Sequence, residues 1–358
     1  MPLAVKRKNT RRIRVGSVDV GGCAPVSVQS MTNTQTADTA STVAQIKRLE
    51  QAGCEIIRVA VPDKEACNAL PEIKKRISIP LVADIHFDYR LAVAALGAGA
   101  DCIRINPGNI GSKSRVRQVV SAAANNQASI RIGVNSGSLD RDLRQKYGGA
   151  NAEALVESAL RQIGLLAEMD FHQVKVSIKS SDVLQTIEAY RLFSEKSDVP
   201  LHVGITEAGG LYSGIVKSAV GIGGILIDGI GDTIRVSLTR DPAEEVRVGY
   251  EILKALDIRH RGPEIISCPT CGRCRIDLFS IAESVEKALL NNPGHIRVAI
   301  MGCEVNGPGE AREADVGIAG GDGTGVLFKK GRIVKRFTQD RLVAELLAAV
   351  EEITQGEK

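Results

Sequence analysis

The chain has 358 residues, 44% of them apolar and 25% charged, which argues against a disordered polymer and suggests two or three globular domains. Aromatic residues make up only 3%, with no Trp, too few stacking platforms for a single-stranded nucleic-acid binder. The 46 Lys and Arg against 42 Asp and Glu give +4, which does not imply a nucleic-acid partner.

The one dense basic run, Lys6 to Arg14, reads as a solvated leading strand. No apolar stretch follows it, as a secretory leader would require. The most apolar window, 216–230, is broken by Lys217, Asp228 and several glycines, short of the ~20 apolar residues that span a membrane. The expectation is a cytoplasmic chain whose eight cysteines are thiols or metal ligands rather than disulfides.

From residue 25 to about 256, short β-rich runs alternate with helical stretches. The runs are 26–31, 56–61, 81–85, 102–105, 130–134, 174–178, 201–205 and 225–230. Stretches such as 39–52, 89–96, 151–169 and 182–196 lie between them, with apolar spacing near 3.6, as at Leu155, Ala159, Ile163 and Leu166. Eight strand–helix units predict a closed (β/α)8 TIM barrel over residues 1–260. The rival open sheet lacks support, because no G-x-G-x-x-G or complete P-loop sits between a strand and a helix. The texture changes at Arg259 to Pro263, and residues 261–358 read as a small α+β domain. It holds a Cys cluster, a helical run near 276–290, a strand at 296–301, a Gly-rich hairpin at 320–325 and a closing helix at 339–353.

Chemistry in such a barrel gathers at the C-terminal ends of the strands. Those ends carry Gln29 and Thr32, Arg58, Asp84 and His86, Arg104 and Asn106, and Arg131 and Asn135. Further along come Lys175, Ser177 and Lys179, then His202 and Glu207, and finally Asp228 and Asp232. Residues two apart share a face, so these groups project together. Each cation alone could be an ordinary rim ion pair, but cations on four of eight strands at an equivalent height predict a strongly anionic ligand. The fork of Arg suits phosphate. His86 and Glu207 on the same rim could exchange protons with a substrate.

Cys268-Pro-Thr-Cys271-Gly-Arg-Cys274 places three thiols on one loop, and Cys303 follows in the second domain. Thiolates suit an iron–sulfur cluster or zinc, and the three-Cys run favours the cluster, since a zinc ribbon needs a second C-x-x-C. Two ligand sets remain open from the residues: Cys268, Cys271, Cys274 and Cys303, or three thiolates with Glu310. Cys23, Cys54, Cys67 and Cys102 are expected to be small buried hydrophobes.

These segments together resemble the 4-hydroxy-3-methylbut-2-en-1-yl diphosphate synthase family in its two-domain bacterial form. The resemblance rests on Val28-Gln-Ser-Met-Thr-Asn33, Ala83-Asp-Ile-His86, Arg104-Ile-Asn-Pro-Gly-Asn109, Arg131-Ile-Gly-Val-Asn135 and Lys175-Val-Ser-Ile-Lys179. It extends to Gly204-Ile-Thr-Glu-Ala-Gly-Gly210, Ser267-Cys-Pro-Thr-Cys-Gly272 and Gly302-Cys-Glu-Val-Asn-Gly-Pro-Gly-Glu310. It implies reductive ring opening and dehydration of 2-C-methyl-D-erythritol 2,4-cyclodiphosphate to 4-hydroxy-3-methylbut-2-enyl diphosphate. It also implies a [4Fe-4S] cluster on Cys268, Cys271, Cys303 and Glu310, with Cys274 departing from the family's pattern. The diphosphate clamp carries over to Arg58, Arg104, Arg131 and Lys179, with Lys175 on the same face and Asp84, His86, Asn106 and Asn135 beside them. Glu207 becomes the proton donor, and Ser267 and Asn306 lie near the cluster. Electrons would come from flavodoxin or ferredoxin, in a homodimer whose cluster domain caps the partner's barrel. The competing expectations are a barrel lyase or transferase with a merely structural cysteine domain, and a zinc-bearing interaction module.

Overall fold

The structure, a computed structural model, describes residues 5–356 except 291, 304–308, 310 and 322. It divides into two compact units, Met1–Arg259 and His260–Lys358.

The first unit opens with a small antiparallel hairpin, β1 (Ile13–Val15) and β2 (Val18–Val20). Eight strands follow: β3 (Ser27–Met31), β4 (Ile56–Ala60), β5 (Leu81–Asp84), β6 (Cys102–Ile105), β7 (Ser129–Asn135), β8 (Val174–Lys179), β9 (His202–Val203) and β10 (Thr233–Ile234). They pair in parallel in the order β8-β7-β6-β5-β4-β3-β10-β9, and a parallel bridge from Val176 to Leu201 joins the two ends, which closes the barrel. The helices between them are α1 (Thr39–Ala52), α2 (Lys64–Arg76), α3 (Tyr89–Gly97), α4 (Pro107–Ile110), α5 (Lys113–Asn125) and α6 (Arg141–Tyr147). They continue with α7 (Ala152–Ala167), α8 (Val183–Lys196), α9 (Leu211–Ile227) and α10 (Pro242–Ala255). Local chemistry sets their ends: Asp38, Asp63, Asn151 and Asp182 cap first turns with side-chain oxygens, and Gly53 at φ 100° closes α1 in the left-handed region.

Strand alternation sorts the barrel into an apolar outer face and a polar lumen. Ile57, Val59, Ala83, Ile103, Ile105, Ile130, Ile132, Val176 and Ile178 face the helices in one continuous core. At the N-terminal end of the lumen, Ile56, Val82 and Cys102 pack against Ile13, Val15 and Val20 of the hairpin, which stoppers the barrel. The basic head is thus the start of a buried plug as well as a solvated segment.

The expected strand at 225–230 is a correction. Those residues end α9, whose Ile222, Ile225 and Leu226 are buried, and the eighth strand is Thr233–Ile234. Asp228 caps that helix and pairs with Arg191 at 2.6 Å, so it is not a rim residue. Asp232 precedes the strand and lies at the opposite end from the mouth. There it accepts from Leu201 N at 2.9 Å and Thr10 Oγ1 at 2.9 Å.

The second unit is a five-stranded sheet, β11 (Glu264–Ser267), β12 (Arg297–Met301), β13 (Val316–Gly320), β14 (Thr324–Lys329) and β15 (Arg332–Thr338), in that order. The first three strands are parallel and the last two antiparallel. Helices α11 (Leu278–Leu289) and α12 (Leu342–Gly356) place Leu278, Val285, Leu289, Leu342, Leu346 and Val350 in a core with Ile296, Val298, Ile300 and Ile318. A smaller cluster, with Met301, Ala311, Ala314 and Phe328, forms separately. This is the expected α+β domain. Among the described residues no helix is long and apolar enough to cross a membrane.

Candidate functional site

The lumen above the hairpin plug is filled with cations, and strand register explains how they meet. Asp84 stands opposite Arg104, Arg104 opposite Arg131, and Arg131 opposite Lys175, on four consecutive strands. Asn135 stands opposite Lys179 nearer the mouth, with the Gly133 and Ser177 pair between this level and that of Arg131 and Lys175. Arg58, Arg104, Arg131, Lys175 and Lys179 are all buried. Asp84 answers part of this charge, with Arg104 Nη1 at 3.3 Å and Arg58 Nε at 3.7 Å. Arg58 also donates to Met31 Sδ at 3.0 Å, and the Asn135 amide, oriented with its oxygen inward, accepts from Arg104 Nη2 at 3.1 Å.

Much of this donor capacity has no acceptor. Arg104 Nε, Arg131 Nε and Nη1, Lys175 Nζ and His202 Nε2 are buried with no hydrogen-bond partner among the described residues. Such groups are costly in a protein interior unless an anion meets them. The titration behaviour points the same way. Burial and then Arg104 pull Arg131 down to about 10, and burial pulls Lys175 to about 8. Burial followed by Arg131 lowers Lys179 and His202 well below their ordinary values. Burial alone would raise the Asp84 carboxyl, but His86, Arg58, Arg104 and Arg131 together hold it well below the usual carboxylate range.

Two glycines make room for the cations. A Cβ at Gly133 would sit 2.6 Å from Arg104 Nε, and one at Gly204 would sit 2.8 Å from Lys179 Nζ. A further cation, Arg235, was not singled out from the sequence. It follows β10, pairs with Glu245 of α10 at 3.3 Å and contributes to the repulsion on Arg58, Arg131 and Lys179. The signal that could have found it was the alternation Thr233, Arg235 after the Gly229 to Gly231 turn.

The rim residues are placed differently from one another. His86 is exposed, 3.5 Å from Arg104 Nη1 and 3.7 Å from Asp84. Asn106 is buried and caps α4, accepting from Gly108 N at 3.1 Å. Glu207 is exposed on the loop between β9 and α9, at the mouth end, with a left-handed φ of 54°. A glutamate held there is backbone strain of the kind that clusters at functional sites.

In the second unit, Ser267 ends β11 and the loop 268–275 follows it. Cys268 N donates to Ile300 O of β12 at 3.4 Å, and Arg275 N donates to Gly302 O at 3.1 Å, so this loop is tied to the segment leading into Cys303. Gly302 N donates to Cys268 Sγ at 3.3 Å, and a Cβ at Gly302 would lie 2.7 Å from Cys274 Sγ and 3.5 Å from Cys268 Sγ. Cys274 Sγ donates to Ile276 O at 3.3 Å. The backbone N–H and then the side chain of Arg273 lower the Cys271 thiol. All four cysteines are free thiols. Cys268 and Cys303 follow neighbouring parallel strands at the same end of the sheet, a donor set that fits a thiolate-held iron–sulfur group. Among the described residues no three His, Cys, Asp or Glu side chains already converge on one metal position. Glu310 and Asn306 lie outside the described residues. Elsewhere Cys54, Cys67 and Cys102 are buried as expected, but Cys23 is exposed at φ 64°, which corrects its assignment as a core residue.

Comparison with known proteins matches both units. Residues 10–250 match the GcpE TIM-barrel domain and residues 264–352 the GcpE protein C-terminal domain. A protein of Geobacter sulfurreducens named 4-hydroxy-3-methylbut-2-en-1-yl diphosphate synthase (flavodoxin) is 57% identical over 97% of this chain and 98% of its own length. Proteins of the same name from Desulfotalea psychrophila, 56% identical over 98% of this chain and 97% of theirs, and Caldanaerobacter subterraneus, 57% over 98% and 99%, are equally close in kind. Among solved structures, the Yersinia pestis dihydropteroate synthase superposes with TM-score 0.50 at 13% identity, over 69% of this chain and 98% of that one, a likeness of barrel fold alone. On two domain matches spanning nearly its whole length and on relatives above half identity, the chain belongs to the GcpE family of 4-hydroxy-3-methylbut-2-en-1-yl diphosphate synthases.

Proposed function

We propose that the chain catalyses the reductive ring opening and dehydration of 2-C-methyl-D-erythritol 2,4-cyclodiphosphate to 4-hydroxy-3-methylbut-2-enyl diphosphate in the cytoplasm, as a homodimer served by a flavodoxin. The observation that carries the reading is the buried crowd of Arg58, Arg104, Arg131, Lys175 and Lys179, whose orphaned donors call for a compact polyanion. In balance, the dianionic substrate takes up two electrons and one proton. It loses a ring carbon–oxygen bond and one hydroxyl as water, and leaves a trianionic diphosphate.

Arg58, Arg104, Arg131 and Lys179 grip the diphosphate, with Asn106 and Asn135 orienting it, and the hold strengthens as the diphosphate gains its third charge. Asp84 fixes the guanidinium of Arg104, and His86 lies beside both. Glu207 delivers the proton to the departing hydroxyl oxygen. Cys268, Cys271, Cys303 and Glu310 would hold a [4Fe-4S] cluster, which supplies the two electrons when bound; Ser267 precedes the first ligand in the sequence and Asn306 falls between Cys303 and Glu310.

The test is anaerobic purification, iron and sulfide analysis, and assay of the cyclodiphosphate with reduced flavodoxin. About four irons and four sulfides per chain with formation of the linear diphosphate is the expected result. Stoichiometric zinc, or turnover without any reductant, would overturn the assignment.

A further inference from the structure

Four guanidiniums, from Arg58, Arg104, Arg131 and Arg235, share the lumen with the carboxylate of Asp84, while Glu245 of α10 meets Arg235 at 3.3 Å. Guanidinium keeps its proton under all ordinary conditions. The arginines alone therefore leave an excess of positive charge in a space closed below by the hairpin. Lys175 and Lys179 add two more amines to the same space, on β8. Lys175 is fully buried, its Nζ has no partner, and its register neighbour is Arg131, which itself has two orphaned donors. The groups facing it from other strands are Cys102 of β6, Arg131 of β7 and Arg58 of β4. Lys179 faces Arg131, Arg235, Arg58 and Arg104. His202 of β9, with Nδ1 2.6 Å from Thr233 Oγ1, feels the same cations and stays neutral. In such a crowd the charge that can be shed resides on the lysines, because the arginines cannot shed theirs.

We propose that Lys175 and Lys179 are the proton acceptors of the site: in the free enzyme they carry fewer than two protons between them, and the cyclic diphosphate enters together with a proton from solvent. Lys179 acts at the phosphate, whereas Lys175, sealed deeper beside Arg131 and below Ser177, is a positioning residue that completes the field once the anion has arrived. This rests on the diphosphate reading of the lumen. The ligand itself is a suitable reporter, because each phosphorus of a cyclic diphosphate bears one strongly acidic hydroxyl. The molecule therefore has no proton to exchange near neutrality or above, and any uptake belongs to the protein.

The sign follows from linkage. Amines that are depressed in the free enzyme and restored by a bound anion take up protons between their two values, so affinity falls as pH rises through that interval. With Lys175 at about 8 in the free enzyme, that amine alone should make the dissociation constant climb roughly tenfold per pH unit above that point, in addition to the contribution of Lys179. The experiment is calorimetric titration of the anaerobic, cluster-loaded enzyme with 2-C-methyl-D-erythritol 2,4-cyclodiphosphate, without reductant. Buffers of different ionisation enthalpy are used, from about pH 7 to about pH 9.5. Uptake of on the order of one proton, reduced in both Lys175→Met and Lys179→Met, is the expected result. Binding whose heat is independent of buffer and whose affinity is flat with pH overturns the inference while leaving the anion clamp intact, and so does full uptake in both variants. No binding at any pH overturns the clamp itself. The wild-type titration alone decides the first point if a variant fails to fold.

Discussion

Asp84 shows how one residue sets the character of the lumen. Its carboxylate is the charge that meets both Arg104 and Arg58. Asp84→Asn leaves two buried guanidiniums without that counter-charge. Ligand-free protein should lose about 3–5 kcal/mol in urea unfolding, the usual result of removing one partner of a buried pair. Added sulfate should restore more stability to the variant than to the wild type. Because the carboxyl is held below its unfolded value of about 3.9, its contribution is complete at neutral pH and disappears only as acid drives pH down through the folded value. Gly302 is the corresponding point in the second unit. A methyl there would press on Cys274 Sγ at 2.7 Å and approach Cys268 Sγ. Gly302→Ala should therefore lower iron and sulfide retained per chain while leaving anion binding by the barrel unchanged. Equal iron content in the two proteins would count against that reading of the contact.

At the level of elements, the hairpin β1–β2 is a structural stopper despite its two three-residue strands. Ile13 is 1% exposed and packs with Ile56, Val82 and Cys102. Ile13→Ala should cost about 2–5 kcal/mol on urea denaturation, the range for emptying a packed core position. A value below 1 kcal/mol would mean that the lumen does not depend on its plug. The sequence hid this element because Arg11, Arg12 and Arg14 surround the apolar positions, and three residues carry too little periodicity to read. The misreading at 225–230 has a different cause. Helix α9 is apolar and glycine-rich, with Gly221 against Ile205, so a buried helix end resembled a strand, whereas the true strand is two residues long. The inward cation cluster was legible because it depends on a period of two within strands: Arg104 and Arg131 had to point inward once Ile103, Ile105, Ile130 and Ile132 pointed out. The cysteine run was legible because its chemistry is local in sequence. Which lysine meets the diphosphate was not legible, since Lys175 and Lys179 share a face; register sets Lys179 beside Asn135 at the mouth end and Lys175 deeper beside Arg131, with Ser177 between them.

For the whole molecule, the central fact is that each unit carries its own core. The barrel core and the two clusters of the second unit have no residue in common. Ligands should then stabilise the units separately, since a ligand adds stability only to the fold that binds it. Inorganic pyrophosphate, a minimal stand-in for the substrate's charge, should raise the thermal transition of the barrel by the equivalent of about 2.7 kcal/mol at a hundredfold excess over its dissociation constant. Arg131→Ala should abolish most of that rise, because Arg131 is the most deeply buried of the clamp's guanidiniums at 2% exposure. Removing the iron by anaerobic chelation should lower the other transition, that of the cysteine-bearing unit, and leave the pyrophosphate-dependent one in place. Differential scanning calorimetry resolves the two cases. If chelation moved the pyrophosphate-sensitive transition as far as the other, the two cores would have to melt as one cooperative body, and a variant damaged in either unit would lose both the anion clamp and the thiolate loop together.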